Sequence, residues 1–490
     1  MKKTTFLTGF SSHFYGSAKR SAQDIVAQKR QSLVEGTLDF QAQFIEEVPP
    51  ELLERYSETQ RISHFPDHLT FWAFFGQVAS DDASCAAAVA HVQSWAEQRG
   101  LPIPSANTGA YCQARADLPL KLLEAVNDSL LSQLNAQLPT SAHWRGLRPR
   151  AEDGTSAQMP DTASNREKYP YPHGQADGCG FPMVRLGGLI DLSHGGMYQF
   201  ATSDMNTSEL SNHYELEKHL NCGDVFIGDR LYSNYELMQK LHVKGVHFVG
   251  RTHQARKIDF RKGRKISANE RLVVWSKPAR QPKGSGLSKA QWAALPEQLK
   301  VRLIRCKGPD REGKQRTRYL STTLLDSQAY PAEEIASLYF HRWEIEVRFR
   351  DIKTTLGMEM LRTKSPEMIE KELLMHQIVY NLMRLIMLKS AIDHGINHRR
   401  LSFRGTQQVI LAFVHNFCGL AKRPLLLIQQ RSKMLERIAE RIVTERPGRN
   451  EPRRVKRRPK CTHWLQKPRT EYFEHFRADN PPFKILDKVA

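Results

Sequence analysis

The chain has 490 residues, 72 Lys and Arg against 52 Asp and Glu, and a formal net charge of +20, with a pI near 9.6. This length exceeds a single hydrophobic core and predicts two to four domains, and the basic excess points to a polyanion, nucleic acid before membrane. Seven scattered cysteines with no C-x-x-C pair argue against a disulfide framework and for a reduced, cytoplasmic setting.

The first segment, 1–138, reads as all-helical. SAKRSAQDIVAQKRQSLVEGTL is an amphipathic candidate that Gly36 would end. The next is DHLTFWAFFGQVA, with Asp67 as a candidate cap and a strongly apolar face. CAAAVAHVQSWAEQRG closes at Gly100, and AYCQARADLP and PLKLLEAVNDSLLSQL follow. Tyr111, Gln113 and Arg115 on the short basic helix would suit a helix-turn-helix reader of DNA; a plain helical bundle fits the pattern equally. The N-terminal TTFLTGFSSHF lacks the apolar stretch of a signal peptide.

From about residue 143 the period changes. HWRGLRPRAEDGT carries a period-two strand into Asp153, and Gly154 would let the chain turn close to a ligand. FPMVRLGGLIDLS and GGMYQFATSDM form a hairpin across His194-Gly195-Gly196. NTSELSNHYELEKHL is a helix capped by Asn206 or Thr207. DVFIGDRLY is a short buried strand, SNYELMQKLHVKG a helix begun by Ser233 or Asn234, and VHFVGRT another strand. Three strands, helix, strand, helix, strand and a later helix match an α+β, ribonuclease-H-like (integrase-like) order. Residues 252–324 interrupt it with basic β-like pieces, RKIDFRK, RLVVWSK, VRLIRCKG and TRYLSTTLL, around the loop QPKGSGLSKAQ.

The stretch YFHRWEIEVRFRDIK, Tyr339 to Lys353, is the most informative. Pro331 is a plausible helix start and no Pro or Gly interrupts the run until Gly357, so one long helix is expected. At roughly 100° per residue, Tyr339, Arg342, Glu346 and Lys353 fall in a stripe about 60° wide. Leu338, Ile345, Phe349 and Ile352 form an apolar stripe beside it that would dock on a core. Charged pairs at helical spacing also describe an ordinary solvated face. Beyond it, SPEMIEKELLMHQIVYNLMRLIMLKSAID is a strong helix whose most apolar run carries Arg384 and is too short to span a membrane. LSFRGTQQVILAFVHNF and PLLLIQQRSKMLERIAERIV follow. RPGRNEPRRVKRRPK is a Pro-broken basic tail suited to phosphate contact. Cys461 and His463 have no partner pair at zinc spacing.

Metal-assisted phosphodiester chemistry needs carboxylates converging on hard cations. Asp153 at the end of the first strand and Asp229 at the end of VFIGD are the candidates to join Glu346. Asp224 lies an odd number of positions from Asp229 and should face away, and Asp191 and Asp204 are held in reserve. An isolated Asp after a strand is more often a turn residue or cap.

The Y-x2-R-x3-E-x6-K spacing resembles the YREK signature of the bacterial insertion-sequence transposases of family four, in the DDE superfamily. EDGT, then GDR, then YREK occur in the order that family uses, PDTASN, TGAYCQARADLP and KSPEMIEKELLMH add to the likeness, and it covers most of residues 60–390. The resemblance implies a cut-and-paste DNA transposase with Asp153, Asp229 and Glu346 as catalytic and metal-binding carboxylates for two Mg²⁺ ions, Mn²⁺ substituting. It implies that Tyr339, Arg342, Lys353 and Arg230 hold transposon-end DNA, that Tyr319 stacks on an extruded base, and that a hairpin forms on the element end. Partners would be the terminal inverted repeats, target DNA and a second copy of the chain, in a cytoplasmic, nucleoid-associated setting. The expected division is 1–138 helical and DNA-binding, 139–251 first part of the core, 252–324 β-rich insertion, 325–395 second part of the core, and 396–490 helical with the basic tail. A metal-dependent nuclease of the same fold, or a non-catalytic DNA-binding relic, would share these features.

Overall fold

The structure, a computed structural model, describes residues 39–57, 64–139, 143–176, 178–282, 284–309, 315–420 and 423–444. The helix expected within 17–38, the basic tail, Cys461 and His463 lie outside them.

Helices start where a side chain or a proline can stand in for missing backbone partners. The N-terminal part holds α1 (Asp39–Gln43), α2 (Pro50–Arg55), α3 (Asp67–Ala79), α4 (Cys85–Gln98), α5 (Gly109–Asp117) and α6 (Leu120–Gln137). Ser84 caps α4 by accepting from the Ala87 amide at 3.1 Å, and Gly100 ends that segment at a φ of 62°. Asp67 is the first residue of α3 rather than its cap, which is Pro66.

Next come β1 (Arg148–Gln158), α7 (Ala163–Lys168), the β2 (Met183–Asp191) and β3 (Met197–Asp204) hairpin, α8 (Glu209–Leu216), β4 (Asp224–Gly228), α9 (Tyr235–Val243) and β5 (His247–Arg251). The expected hairpin and order of elements are present, with α7 as an added short helix. Helix α8 is capped by Ser208, one residue beyond the expected Asn206 or Thr207, because Asp204 already takes the amides of Asn206 and Thr207.

The strands then run β6 (Arg264–Ser267), β7 (Glu270–Ser276), β8 (Gln298–Pro309) and β9 (Gln315–Thr322), with α10 (Lys289–Ala294) between β7 and β8. RKIDFRK is not a strand; pairing starts at Arg264. The spatial order is β3-β2-β1-β4-β5-β9-β8-β7-β6 in one nine-stranded sheet. β1 is antiparallel to β2 and parallel to β4, β4 is parallel to β5, and β9 joins β5 antiparallel. The basic β pieces therefore extend the first sheet instead of forming a separate one.

Alternation sends successive side chains of a strand to opposite faces. Val225, Ile227 and Val249 point into the larger core, shared with the helices, while Phe226 and Phe248 enter a smaller core under α8 and α9. The chain closes with α11 (Ala332–Phe340), α12 (Trp343–Arg350), the 28-residue α13 (Pro366–Asp393), α14 (Phe403–Phe413) and α15 (Pro424–Ala439). α13 is buried along most of its length and packs against α3, α6, α14 and α15. Its apolar run is core, and among the described residues no helix is long and apolar enough to cross a membrane. Arg384, fully buried, donates to the His194 carbonyl at 2.9 Å.

The single long helix expected from Pro331 to Gly357 is instead three pieces. At His341 and Arg342 the hydrogen bonds tighten to three-residue steps: the Arg342 amide reaches the Tyr339 carbonyl at 3.0 Å and the Ile345 amide the Arg342 carbonyl at 3.1 Å. After α12, Asp351–Thr355 widen into a π-type turn. Nothing in the local sequence marks either change, since both are made without Pro or Gly. The apolar stripe survives them: Leu338, Ile345, Phe349 and Ile352 are all buried.

Candidate active site

The two faces of β1 have different tasks. Asp153 pairs across the sheet with Gly188, and a Cβ at Gly188 would lie 2.9 Å from the Phe349 ring. The glycine thus lets α12 lie directly on the strand pair beside Asp153. That approach brings the polar stripe of α12 over β1. Arg342 donates from one nitrogen to Asp153 Oδ2 at 2.6 Å and from the other to Glu346 Oε1 at 3.0 Å. Two positions along β1 on the same face, Thr155 Oγ1 receives Lys353 Nζ at 3.2 Å.

Asp153 is in the middle of β1, not at its end, and Gly154 continues the strand to Gln158 rather than turning it. Gly154 serves the opposite face, where a Cβ would come 3.1 Å from Glu209 Oε1. Asp229 does end its strand, one residue past β4, where its Oδ1 accepts the Leu231 amide at 2.7 Å. Burial pushes the Asp153 carboxyl above its ordinary range. Arg342 and the Gly154 amide pull the other way, and the negative charge of Asp229 adds to the rise. Asp153 therefore lies within electrostatic reach of Asp229. Glu346 is the most open of the set, its side chain 62% exposed, against 28% for Asp153. Among the described residues no three His, Cys, Asp or Glu are gathered closely enough to hold a metal ion. The Arg342 guanidinium lies between Asp153 and Glu346 instead.

Tyr339 is nearly buried, and burial raises its hydroxyl pKa; the charges of Arg342 and Arg251 oppose the shift and Asp229 adds to it. Arg230 is exposed and donates to Gln254 Oε1 at 2.7 Å. It shares a cleft of about 280 Å³ with Arg251, His253, Arg256, Arg318 and Tyr319. Tyr319 leans on Phe260, ring centres 5.7 Å apart. The Arg256 guanidinium stacks 3.7 Å over Trp275. Arg251, Arg256 and Arg318 were not singled out from the sequence; the signal was the basic run on both sides of the β5–β9 pairing, but which strands pair is not a local property.

The reserve aspartates are elsewhere. Arg150, 1% exposed, bridges Asp191 at 2.8 Å and Asp224 at 3.6 Å. Asp204 makes a turn with Asn206 and Thr207. In α5, Tyr111 and Arg115 point inward, both onto Gln77 Oε1, at 2.7 and 3.1 Å. Only Gln113 of that trio is exposed, so the three do not form a reading face for DNA.

Residues 144–382 match the family model described as Transposase DDE domain. The transposase InsG of insertion sequence element IS4 from Escherichia coli (strain K12) is 28% identical over 330 residues, covering 65% of this chain and 69% of that protein. Both matches support a transposase function, and the chain is similar to the transposases of insertion-sequence family four. The matched stretch runs from the entry to β1 into α13 and includes Asp153, Asp229 and the whole Tyr339–Lys353 region. Among solved structures, the chain is similar to the piggyBac transposase synaptic complex with hairpin DNA, at 12% identity and a TM-score of 0.40, over 85% of this chain and 86% of that one.

Proposed function

We propose that this protein moves an insertion sequence by cut-and-paste, hydrolysing phosphodiesters at the element ends and joining the freed 3′-hydroxyls to target DNA. One observation carries the assignment of the site: a single guanidinium, Arg342, spans the β1 carboxylate Asp153 and the α12 carboxylate Glu346, with Asp229 in electrostatic reach of Asp153. Residues far apart in the chain are thereby brought together over the inner strands β1 and β4. We read strands β3-β2-β1-β4-β5 as a ribonuclease-H-like core and β6–β9 as its insertion, with the helices before β1 and after α13 as flanking domains, the first of them DNA-binding.

The donor types suit a hard divalent ion once Arg342 is drawn away: three carboxylate side chains, with the charge of Asp229 felt at Asp153, and a cation already held where positive charge is favoured. Asp153, Asp229 and Glu346 would hold two Mg²⁺ ions, Mn²⁺ substituting, which when bound activate water and stabilise charge at the phosphate. Arg342 neutralises Asp153 and Glu346 in the DNA-free chain. Its planar fork suits a phosphate equally well, so incoming backbone competes for it and frees the two carboxylates. Lys353 and Tyr339 flank it as further phosphate donors, and Arg230 and Tyr319 line the adjoining cleft, which suits a base turned out of the stack. Two ends must be paired, so a dimer of the chain on DNA is expected, bound to terminal inverted repeats and target.

The test uses a duplex carrying the inverted repeat that flanks the coding region. With Mg²⁺, the parent should nick and release the end, and Glu346→Gln should bind the duplex but not cut it. Cutting by Glu346→Gln at the parental rate would remove the catalytic assignment. A pre-cleaved end with a 3′-hydroxyl should be joined to plasmid DNA; cleavage without joining would make the protein a nuclease.

A further inference from the structure

On the face of β1 opposite Asp153 lies a buried polar cluster to which the reaction above assigns no part. Glu152 is completely buried. Its Oε2 lies 2.6 Å from His213 Nδ1 on α8, and its Oε1 accepts the Tyr232 hydroxyl at 3.2 Å. A buried carboxylate that forms no ion pair with Arg or Lys among the described residues is expensive unless its oxygens are hydrogen-bonded, so the two partners are conditions of its presence there. Among the described residues His213 Nε2 has no hydrogen-bond partner.

Tyr232 connects this cluster to the site. It lies three residues after Asp229, in the loop between β4 and α9. Asp229 accepts the Leu231 amide, and the Asn234 amide returns to the Tyr232 carbonyl at 2.9 Å, so the loop is a tight series of turns. The Tyr232 ring packs at 5.5 Å from both His213 and Phe226. A Cβ on Gly228 would be 2.8 Å from Tyr232 Cβ, so the chain doubles back on itself immediately around Asp229. The next residue, Ser233, is tied to Ser321 on β9 at 2.7 Å. The loop is thus moored to β1 on one side and to β9 on the other.

We propose that Glu152 and Tyr232 are positioning residues: their hydrogen bond fixes the Asp229 loop against β1, and so sets the separation of Asp229 from Asp153, the neighbour of Glu152 in the chain. This rests on the assignment of Asp153 and Asp229 to one metal site. Loss of the tether lets Asp229 drift while Asp153 remains fixed by the sheet.

The test compares two single-oxygen deletions in buried tyrosines. Tyr232→Phe removes the tether. Tyr380→Phe removes a buried hydroxyl that donates at 2.6 Å to the Gly195 carbonyl between β2 and β3, outside the Asp229 loop. Each full-length protein is bound to the flanking-repeat duplex, and Mn²⁺ binding is followed by electron paramagnetic resonance alongside melting temperature and the kcat and KM of end cleavage. Tyr232→Phe should weaken Mn²⁺ binding about tenfold and lower kcat with KM unchanged. Tyr380→Phe should lose comparable thermal stability and keep parental Mn²⁺ binding. Glu152→Gln, which retains an oxygen to accept from Tyr232, should stay near the parent. Parental Mn²⁺ binding in Tyr232→Phe, or equal losses in the two Phe variants, would overturn the positioning role and leave the metal-site assignment standing. Failure of the parent itself to bind Mn²⁺ on the duplex would instead bring down that assignment, and the tether with it.

Discussion

Two arginine–carboxylate clusters stand on β1, at Arg150 and at Asp153, and they show how the same groups serve opposite ends. Around Arg150 the bridged charges are sealed: Arg150 and Asp191 are each 1% exposed and Asp224 fully buried, with the Arg150 guanidinium also 4.1 Å over the Tyr198 ring and only Arg148, 2.8 Å from Asp224, reaching solvent. Around Asp153 the same chemistry is left open toward solvent, and Arg342 comes from another element. A sealed ion pair cannot exchange partners without exposing an uncompensated charge. An open one can, which is what a site that must admit phosphate requires. The carboxyl groups register the difference. Burial pushes Asp191 up, but His194, Arg150 and the Ser193 amide more than offset it, and its pKa lies below the ordinary value. For Asp153, burial prevails over Arg342 and the pKa is raised.

The comparison can be broken most forcefully at Asp153. Asp153→Asn should lower end cleavage at least about a thousandfold, roughly 4 kcal/mol of transition-state stabilisation. It should also melt above the parent at neutral pH, because the folded protein disfavours the charged form. That gain should fade as pH falls through the raised folded pKa and vanish below the unfolded value, where parental Asp153 is protonated in both states. A thermal scan across pH checks the sign. Asp191→Ala should do the reverse: cost about 3 kcal/mol in urea unfolding by leaving buried Arg150 with only the more distant Asp224, with cleavage per folded molecule retained. Asp191 has a lowered folded pKa, so its contribution is present above the unfolded value near 3.9 and lost as pH falls through the folded one. Asp191→Asn should therefore flatten the acid side of the stability profile.

Smaller effects sharpen the contrast. Arg342→Gln should raise Mn²⁺ affinity of the DNA-free protein about tenfold, near 1.4 kcal/mol, since the competing guanidinium is gone, while weakening the grip on the end duplex. Calorimetric titration reads both, and unchanged Mn²⁺ affinity would show that Arg342 does not guard the carboxylates. The smallest change should come from Arg230→Gln on the cleft wall. It should weaken duplex binding a few-fold and reduce the slope of log affinity against log salt by about one phosphate contact.

Much of this was legible in the residues because it is local. The period-two strand β1, the cap at Asn234, the glycine stop at Gly100 and the apolar stripe through Ile345 and Phe349 each depend on neighbours a few positions away. The Y-x2-R-x3-E-x6-K spacing likewise brought Arg342 and Glu346 to one face, and that contact is present despite the tightened turn between α11 and α12. What local pattern could not supply was partnership. Asp191, Asp224 and Asp229 all stand at strand ends, yet Arg150 and Arg148 occupy the first two and the β4–α9 loop presents the third. Tyr111 and Arg115 belong to a basic helix, yet Gln77 holds both inside. By itself the sequence determined the elements, their order and a short list of carboxylates, because dihedral preference and periodicity act within a turn or two. Only the tertiary structure decided which carboxylates share an arginine, which face of β1 carries chemistry, and that the basic strands join one sheet, because those follow from burial and pairing between segments far apart in the chain.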